Sequence, residues 1–377
     1  MEEWKTYRMG DLFTLEYGKP VNDKESLDGP VPVFGTNGQI GTSHLPPLCG
    51  HPSVILGRKG AYRGVHFSDR PFSVIDTAFY VEPISDAFDI KWLYYKLLTY
   101  DINNMDSGSA IPSTDRYQIY SLPIEVPPID AQREMVRVLD SLNDKIALNT
   151  RINHNLEEQA QALYKSWFVD FEPFKDGKFV DSELGLIPEG WAVRPLGDVT
   201  KEMRSKVGIR QDVKVLSPIT TGHLVLSEEY FTKQVFSESI SKYLIVQPND
   251  FAYNPARVNI GSIGKNVYDF DGCVSPVYVV FRCESDFDLF FDLYRRTEPF
   301  KNEVISRSNG GVRQTLGYND FALIKLVYPQ KNVVVMFNEI YGQLLREMSH
   351  CSEENISLAE QRDVLLPKLM SGEISIN

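Results

Sequence analysis

The chain has 377 residues, of which 42% are hydrophobic and 24% charged, so it is long enough for two or three domains with separate cores. It contains no apolar run of about 18 residues, its polar start is unlike a signal peptide, and its four cysteines form no CxxC pair, so we expect a cytoplasmic protein with reduced thiols. Its net charge of −12 argues against nucleic-acid binding by global charge, so any DNA contact must rest on local basic groups.

The opening of the chain recurs near its middle. Three residues keep the same spacing in both places: Trp4, Gly10 and Asp11 correspond to Trp191, Gly197 and Asp198. A repeat of this length indicates duplicated domains rather than a short-period solenoid.

The body of each repeat predicts a mixed sheet with a few helices. In the first repeat, an apolar strand over 53–56 leads into the basic, glycine-containing loop 57–64, followed by a strand over 75–81 and a short helix around Trp92. A Gly/Ser loop over 107–110 and a strand ending at Pro127 close this half.

The second repeat has the same predicted layout. A strand over 251–253 leads into the loop 254–261, and a strand over 274–281 and a helix around Phe290 follow. A second Gly/Ser loop, 308–311, precedes a strand that ends at Pro329.

A long helix is predicted after each half. The first starts after Pro127-Pro128 with Asp130 as its N-cap, and the second starts near Asn332, with Pro367 expected to kink or end it. Apolar positions alternate four and three apart in both, which is the heptad seam of helices that pack on each other. We predict this coiled-coil core: Leu139, Leu142, Ile146, Asn149, Asn153, Leu156, Leu163, Tyr341, Leu344, Met348, Cys351, Asn355, Leu358 and Leu365.

The polar seam residues favour one antiparallel, intramolecular coiled coil. If the helix centres align, Asn149 faces Asn355 and Asn153 faces Cys351, and a buried polar layer of this kind fixes register and orientation. The alternative is two ordinary surface helices with solvated polar positions. A rod of about 33 residues would be about 50 Å long, enough to hold two domains apart.

The sequence offers little for catalysis. It has neither GxGxxG nor GxxxxGK[ST], and Asn254-Pro255-Ala256-Arg257 lacks the second proline and the aromatic residue of an amino-methyltransferase motif. Cys49, His44, His51 and His66 lack the spacing of a zinc finger or ribbon, so no metal site is predicted.

Local basic and amide side chains around glycines are the candidates for DNA contacts. Arginine can pair with guanine, asparagine and glutamine with adenine, and lysine can neutralise phosphate. The alternative is that most of these are solvated surface charges. The candidates are Lys19, Thr36, Asn37, Arg58, Lys59, Tyr62, Arg63, Ser109, Arg204, Lys206, Arg210, Thr221, Arg257, Asn259, Lys265, Arg307, Asn309, Arg313 and Gln314.

Three motifs together resemble the specificity subunits of Type I restriction–modification systems, and the resemblance extends along the whole chain. They are Pro127-Pro128 with Gln132 and the run Leu156 to Phe171, the re-entry Leu184 to Trp191, and the tail Leu365 to Ile374. The resemblance implies a non-enzymatic subunit that binds a split, asymmetric site in double-stranded DNA. It also implies docking of two methyltransferase (modification) subunits, which the restriction subunits then join.

These inferences give an α+β chain of two target-recognition domains joined by two long antiparallel helices, with a pseudo-two-fold internal repeat. The predicted segments are 1–127 and 173–328 for recognition and 128–172 and 329–377 for the helices. No cofactor is expected on this chain, and S-adenosylmethionine and ATP are expected on the partner subunits. The competing hypotheses are a coiled-coil scaffold that does not bind DNA, which the acidic charge favours, and an enzyme with an unrecognised site.

Overall fold

The computed structural model describes residues 3–24, 26, 28–105, 112–231, 236–237, 239–308 and 315–375. The chain divides into two compact units: unit 1 comprises residues 1–150 and 352–377, and unit 2 comprises residues 151–351. Within the described ranges, no helix combines the length and apolarity needed to cross a membrane.

Unit 1 is built mainly of short strands. Its strands are β1 (Lys5–Arg8), β2 (Phe13–Tyr17), β3 (Val31–Gly35), β4 (Gly38–Ser43), β5 (Ser53–Gly57), β6 (Val65–Ser68), β7 (Ser73–Val74), β8 (Ala78–Pro83) and β9 (Pro123–Val126). Its short helices are α1 (Ile90–Leu97) and α2 (Arg116–Ser121).

The strand β5 is the centre of unit 1. It lies inside an antiparallel sheet of order β2-β8-β5-β6 and is buried throughout, and its central residues Val54 to Leu56 are apolar because both of its faces are covered. Val54 and Leu56 pack with Trp92 of α1 in the larger core, whereas Ile55 packs with Phe34 and Phe72 in a second one. A smaller sheet of order β4-β3-β7, with β3 and β7 parallel, supplies that second core, and β1 pairs with β9.

Unit 2 contains β10 (Phe179–Ser182), β11 (Gly185–Pro188), β12 (Ala192–Pro195), β13 (Thr200–Met203), β14 (Lys214–Pro218), β15 (Leu224–Leu226), β16 (Leu244–Val246), β17 (Phe251–Tyr253), β18 (Ile263–Lys265), β19 (Gly272–Val274), β20 (Val279–Cys283) and β21 (Lys325–Tyr328). Its short helices are α4 (Ser227–Tyr230), α5 (Asp288–Tyr294), α6 (Glu298–Arg307) and α7 (Tyr318–Phe321). An aromatic core of Phe251, Phe281, Phe291 and Phe321 packs between the sheet and these helices.

The strand orders of the two units correspond. The order β13-β20-β17-β18 matches β2-β8-β5-β6, the pair β12-β21 matches β1-β9, and β15-β14-β19 matches β4-β3-β7 down to its parallel pair. In unit 2 the strand β16 adds to this last sheet, and in unit 1 an isolated bridge between Cys49 and Phe72 occupies the equivalent place.

Two strand predictions need correction. The strand predicted over 75–81 starts only at Ala78, because Ile75 to Thr77 form a turn whose Thr77 carbonyl accepts the N–H groups of Arg58 and Lys59. The strand predicted over 274–281 is two strands, β19 and β20, because the Tyr278 N–H closes a turn onto Ser275.

The long helices are α3 (Ile129–Phe168) and α8 (Lys331–Ser371), of 40 and 41 residues. They are longer than the 33 residues expected from the seam. Asp130 lies in the first turn of α3 rather than at its N-cap, so that prediction was wrong. Pro367 does not end α8, because Leu369 and Met370 beyond it are buried in the core of unit 1 and hold the last turn in place.

Segments of α3 and α8 pack in opposite directions within each unit. In unit 1, Met135 shares a core with Met370, Asn143 accepts from Arg362 at 3.1 Å, and Asn149 donates to Glu354 at 2.6 Å. In unit 2, the rings of Tyr164 and Phe168 lie 6.1 and 4.8 Å from that of Phe337. All fourteen positions of the predicted coiled-coil core are buried or half-buried.

Candidate nucleic-acid interface

Four loops of unit 1 meet at one end of its four-stranded sheet, where β5 ends and β8 begins. The Thr36 hydroxyl lies 2.8 Å from the Lys59 carbonyl and 2.7 Å from the Thr77 carbonyl. The Gly60 N–H donates to Pro112, and Thr114 donates to the Arg58 and Gly57 carbonyls. Residues 36–38, 57–64, 75–77 and 112–117 are therefore held together as one surface, which we call the unit 1 loop cluster.

Gly57 is required for this convergence. A Cβ atom at Gly57 would lie 2.8 Å from the Thr36 carbonyl oxygen and 2.8 Å from Cα of Arg63, closer than real Cβ atoms approach backbone. The residue type at position 57 thus sets how closely the loops approach each other.

Cations and exposed aromatic rings alternate across the loop cluster. The guanidinium carbons of Arg58 and Arg116 lie 4.7 and 4.9 Å from the ring centre of Tyr17, at the end of β2. Arg116 also lies 5.0 Å from the ring of Tyr117, whose side chain is 67% exposed, and Tyr62 is 65% exposed. Guanidinium groups can bind phosphate or guanine, and exposed rings can stack on bases.

Three members of this group were missed by the sequence reasoning: Tyr17, Arg116 and Tyr117. The run Ser113-Thr114-Asp115-Arg116-Tyr117, directly after the Gly/Ser loop, carried a basic and aromatic signal that could have identified two of them. Tyr17 could not be found this way because it ends an ordinary strand far from the others in the chain.

The predicted residues of unit 1 fall into different environments. Lys19 and Asn37 are exposed, and Lys59 is paired with Asp76 at 3.2 Å. Arg63 is only 2% exposed and donates to the Asn103 carbonyl at 2.6 Å, so it supports the loop from the protein side. Ser109 lies outside the described residues.

Three loops of unit 2 meet in the corresponding place. The Leu316 N–H donates to the Pro255 carbonyl, and Gly261, with φ of 91°, approaches the Thr220 carbonyl so closely that a Cβ would lie 2.6 Å from its oxygen. A cavity of about 450 Å³ adjoins them and includes Thr221 and Asn259 in its wall.

The cations beside this cavity have acidic partners. Asp292 is buried and accepts from Arg295 at 3.0 Å, from Arg296 at 3.2 Å and from the Tyr341 hydroxyl at 3.1 Å. Burial raises the pKa of Asp292, but the two guanidinium groups lower it more, so the net pKa lies below its ordinary value. Arg296 also pairs with Glu157 of α3. This network ties α5 to both long helices within unit 2.

The remaining predicted residues of unit 2 are mostly paired. Arg204 pairs with Glu202 at 2.9 Å, Arg210 with Asp271 at 2.7 Å, Lys265 with Asp288 at 2.6 Å and Arg307 with Glu303 at 2.9 Å. Lys206 and Arg257 are exposed. Asn309, Arg313 and Gln314 lie outside the described residues.

Residues 1–158 match the family described as the Type I restriction modification DNA specificity domain. The chain is 25% identical to the Type I restriction enzyme MjaIX specificity subunit of Methanocaldococcus jannaschii, over 77% of this chain and 70% of that protein. It is 24% identical to the Type I restriction enzyme HindI specificity subunit of Haemophilus influenzae, over 99% of this chain and 100% of that protein.

Among solved structures, the chain is similar in fold to the Type-I restriction-modification system S subunit from M. genitalium. The TM-score is 0.62, with 13% sequence identity over 97% of this chain and 96% of the other. Together with the sequence matches, this confirms the resemblance recognised from the motifs.

Proposed function

We propose that this chain is a specificity subunit of a Type I restriction–modification system, the non-catalytic part that selects the DNA sequence. Membership in this family implies recognition of a DNA sequence. Our proposal is that units 1 and 2 each read one half of a split, asymmetric site, and that the chain docks two methyltransferase subunits, through which the restriction subunits join. The partners would carry S-adenosylmethionine and ATP.

The observation that carries the proposal is the unit 1 loop cluster. It lies within the residues matched by the DNA specificity family and combines Arg58, Arg116 and Tyr117 on one surface. A guanidinium that pairs with a guanine edge contributes about 1–3 kcal/mol of discrimination. These local basic side chains provide the positive charge for DNA contacts that the net charge of −12 does not.

Unit 2 would read the other half of the site. Its sheets have the same strand orders as those of unit 1, which supports the inferred duplication, but its loops differ in sequence and in their ion pairs. Recognition of two unlike half-sites requires sheets of equivalent topology that carry different side chains in their loops.

The long helices would set the distance between the half-sites. The opposite chain direction of the α3 and α8 segments in each unit supports an antiparallel coiled coil that acts as a spacer. Removing one heptad from each helix, residues 150–156 and 349–355, shortens it by about 10 Å, or about three base pairs. We expect a spacer shorter by that amount between unchanged half-sites. An unchanged spacer would refute this role.

The deciding experiment co-expresses the chain with the modification subunit of its own system and maps adenine methylation by long-read sequencing. We expect one split motif that depends on this chain. The variant R58A/R116A should lower methylation roughly 5- to 150-fold, from about 1–3 kcal/mol of lost contact energy, while still co-purifying with its partner. The control R137A removes an exposed arginine of α3 that pairs with Glu134, one turn earlier in the same helix.

The outcomes separate the hypotheses. If the complex forms but no chain-dependent motif appears, the DNA-recognition proposal fails and the scaffold hypothesis replaces it. If a motif appears and R58A/R116A leaves it at the level of R137A, the loop cluster of unit 1 is not a recognition surface.

A further inference from the structure

Three potential metal ligands of unit 1 converge in the fold, although the sequence lacks the ligand spacing of a zinc finger or ribbon. The Cys49 sulfur lies 3.7 Å from Nε2 of His51, and that nitrogen lies 3.2 and 3.4 Å from the two carboxylate oxygens of Glu82. One ligand atom from each residue lies within 4.8 Å of the other two. Cys49 is buried, whereas His51 and Glu82 are half-buried and accessible to an incoming ion.

These separations are close to those of a tetrahedral zinc site. With metal bonds of about 2.3 Å to sulfur and about 2.0 Å to nitrogen and oxygen, tetrahedral angles place sulfur about 3.5 Å from nitrogen and nitrogen about 3.3 Å from oxygen. The observed 3.7 and 3.2 Å differ from these values by about 0.2 Å. The sulfur and the Glu82 carboxylate lie within 4.8 Å of each other, against about 3.5 Å in a tetrahedral site, so the half-exposed carboxylate would move toward the sulfur on binding.

The backbone holds all three residues in position. Cys49 exchanges two hydrogen bonds with Phe72, and Glu82 lies within β8, paired with Thr14 of β2. Nδ1 of His51 lies 3.0 Å from the Pro52 carbonyl. A proton on Nδ1 donates to that carbonyl and leaves the Nε2 lone pair directed at the sulfur and the carboxylate, which is the orientation found in metal-ligating histidines.

In unit 2 an arginine side chain occupies the corresponding place. By strand register, Arg282 of β20 occupies the position of Glu82 in β8. Tyr80 pairs with the central residue of the apolar run of β5, Ile55, and Val280 pairs with the central residue of β17, Ala252; Glu82 and Arg282 each lie two residues further along. Arg282 donates to Asp250 at 2.6 Å and to Gln247, both in the segment between β16 and β17. In unit 2 a guanidinium thus links this segment to the sheet, whereas in unit 1 the segment and the strand both present ligand atoms.

We propose that Cys49, His51 and Glu82 bind one zinc-class divalent cation, with water as the fourth ligand. On binding, the Cys49 thiol releases its proton, and the thiolate, the His51 Nε2 and one Glu82 oxygen donate electron pairs to the metal. A thiolate with an imidazole favours zinc over magnesium or calcium. The bound ion links residues 49–51 to β8, just as Arg282 links residues 247–250 to β20 in unit 2. This departs from the expectation of no metal site.

The test titrates the purified full-length chain, stripped with a chelator, with Co²⁺ as a spectroscopic stand-in. We expect one equivalent to produce a thiolate-to-cobalt charge-transfer band and visible bands of tetrahedral intensity, both abolished by Zn²⁺ and unaffected by Mg²⁺. C49S should remove the charge-transfer band, and H51A and E82Q should each weaken binding at least tenfold. H44A is the matched control, because His44 pairs with the exposed Asp28 at 3.2 Å without a thiol.

Circular dichroism of each variant checks that it is folded. H51A and E82Q change half-exposed side chains, so they test the site even if C49S disturbs the core. The absence of a charge-transfer band at one equivalent, its persistence in folded C49S, or equal competition by Mg²⁺ would each overturn the proposal.

Discussion

Gln132 gives the most demanding test of how the start of α3 is fixed to unit 1. Its side chain is fully buried, and its amide nitrogen donates to the Ala87 and Pro127 carbonyls at 2.9 and 2.8 Å. Its amide oxygen accepts the Asp89 N–H at 2.7 Å. Asp89 is in turn the N-cap of α1, so a single side chain joins the beginnings of two helices.

The variant Q132A leaves these three backbone groups without their partner. An unsatisfied buried polar group costs about 1–3 kcal/mol, and water entering the vacated space recovers part of this, so we expect unit 1 to lose about 3–6 kcal/mol of unfolding free energy. That is a large share of the roughly 5–15 kcal/mol available to a domain. The matched control is Q159A, which changes an exposed glutamine of the same helix that donates to Asn155.

Hydrogen exchange with urea titration measures the effect in each unit separately. In Q132A the amides of residues 89–97 should exchange through a lower-energy opening, while those of 251–265 in unit 2 keep their wild-type protection. An unfolding free energy of Q132A within about 1 kcal/mol of that of Q159A would contradict this prediction, because three buried amide hydrogen bonds contribute more than that.

Two further predictions concern Asp292 and Gly57. D292N should destabilise unit 2 by about 3–5 kcal/mol, because it leaves the buried Arg295 without its carboxylate and removes one of the two acidic partners of the half-buried Arg296. The control D269N changes an exposed carboxylate of the same unit. The folded-state pKa of Asp292 is depressed, so its stabilisation is complete above the ordinary value of 3.8 and is lost as the pH falls below it. Acid unfolding below pH 4 should therefore be less steep in D292N than in the wild type. Parallel acid-unfolding curves would contradict this. G57A should lower motif methylation while the complex still assembles, because its Cβ forces the Thr36 backbone away, whereas G50A, with open space around its Cβ, should match the wild type in the same sequencing assay.

Local sequence patterns were sufficient for the long helices and several strands. The heptad spacing runs continuously through α3 and α8, and the strand predicted over 251–253 has the bounds of β17. These patterns depend on neighbours three, four or two residues apart, which the sequence contains directly. Even there, Asp130 is not the N-cap and Pro367 does not end its helix, because helix ends depend on contacts such as those of Gln132 and Met370.

The charged residues show the opposite case. Arg63 and Arg58 are both basic neighbours of glycine, yet one is buried against Asn103 and the other lies over Tyr17. Nothing in the local sequence distinguishes them, because their environments come from strands and turns that are distant in the chain.

The sequence by itself indicated the family resemblance, the two long helices and the alternation of short strands with glycine-containing loops, because periodicity and motifs are local properties. Only the tertiary structure decided which side chains share a surface. It brought Tyr17 and Arg116 together and placed Glu82 beside Cys49 and His51. Such groupings depend on strand order and register, which bring together residues that lie far apart in the chain.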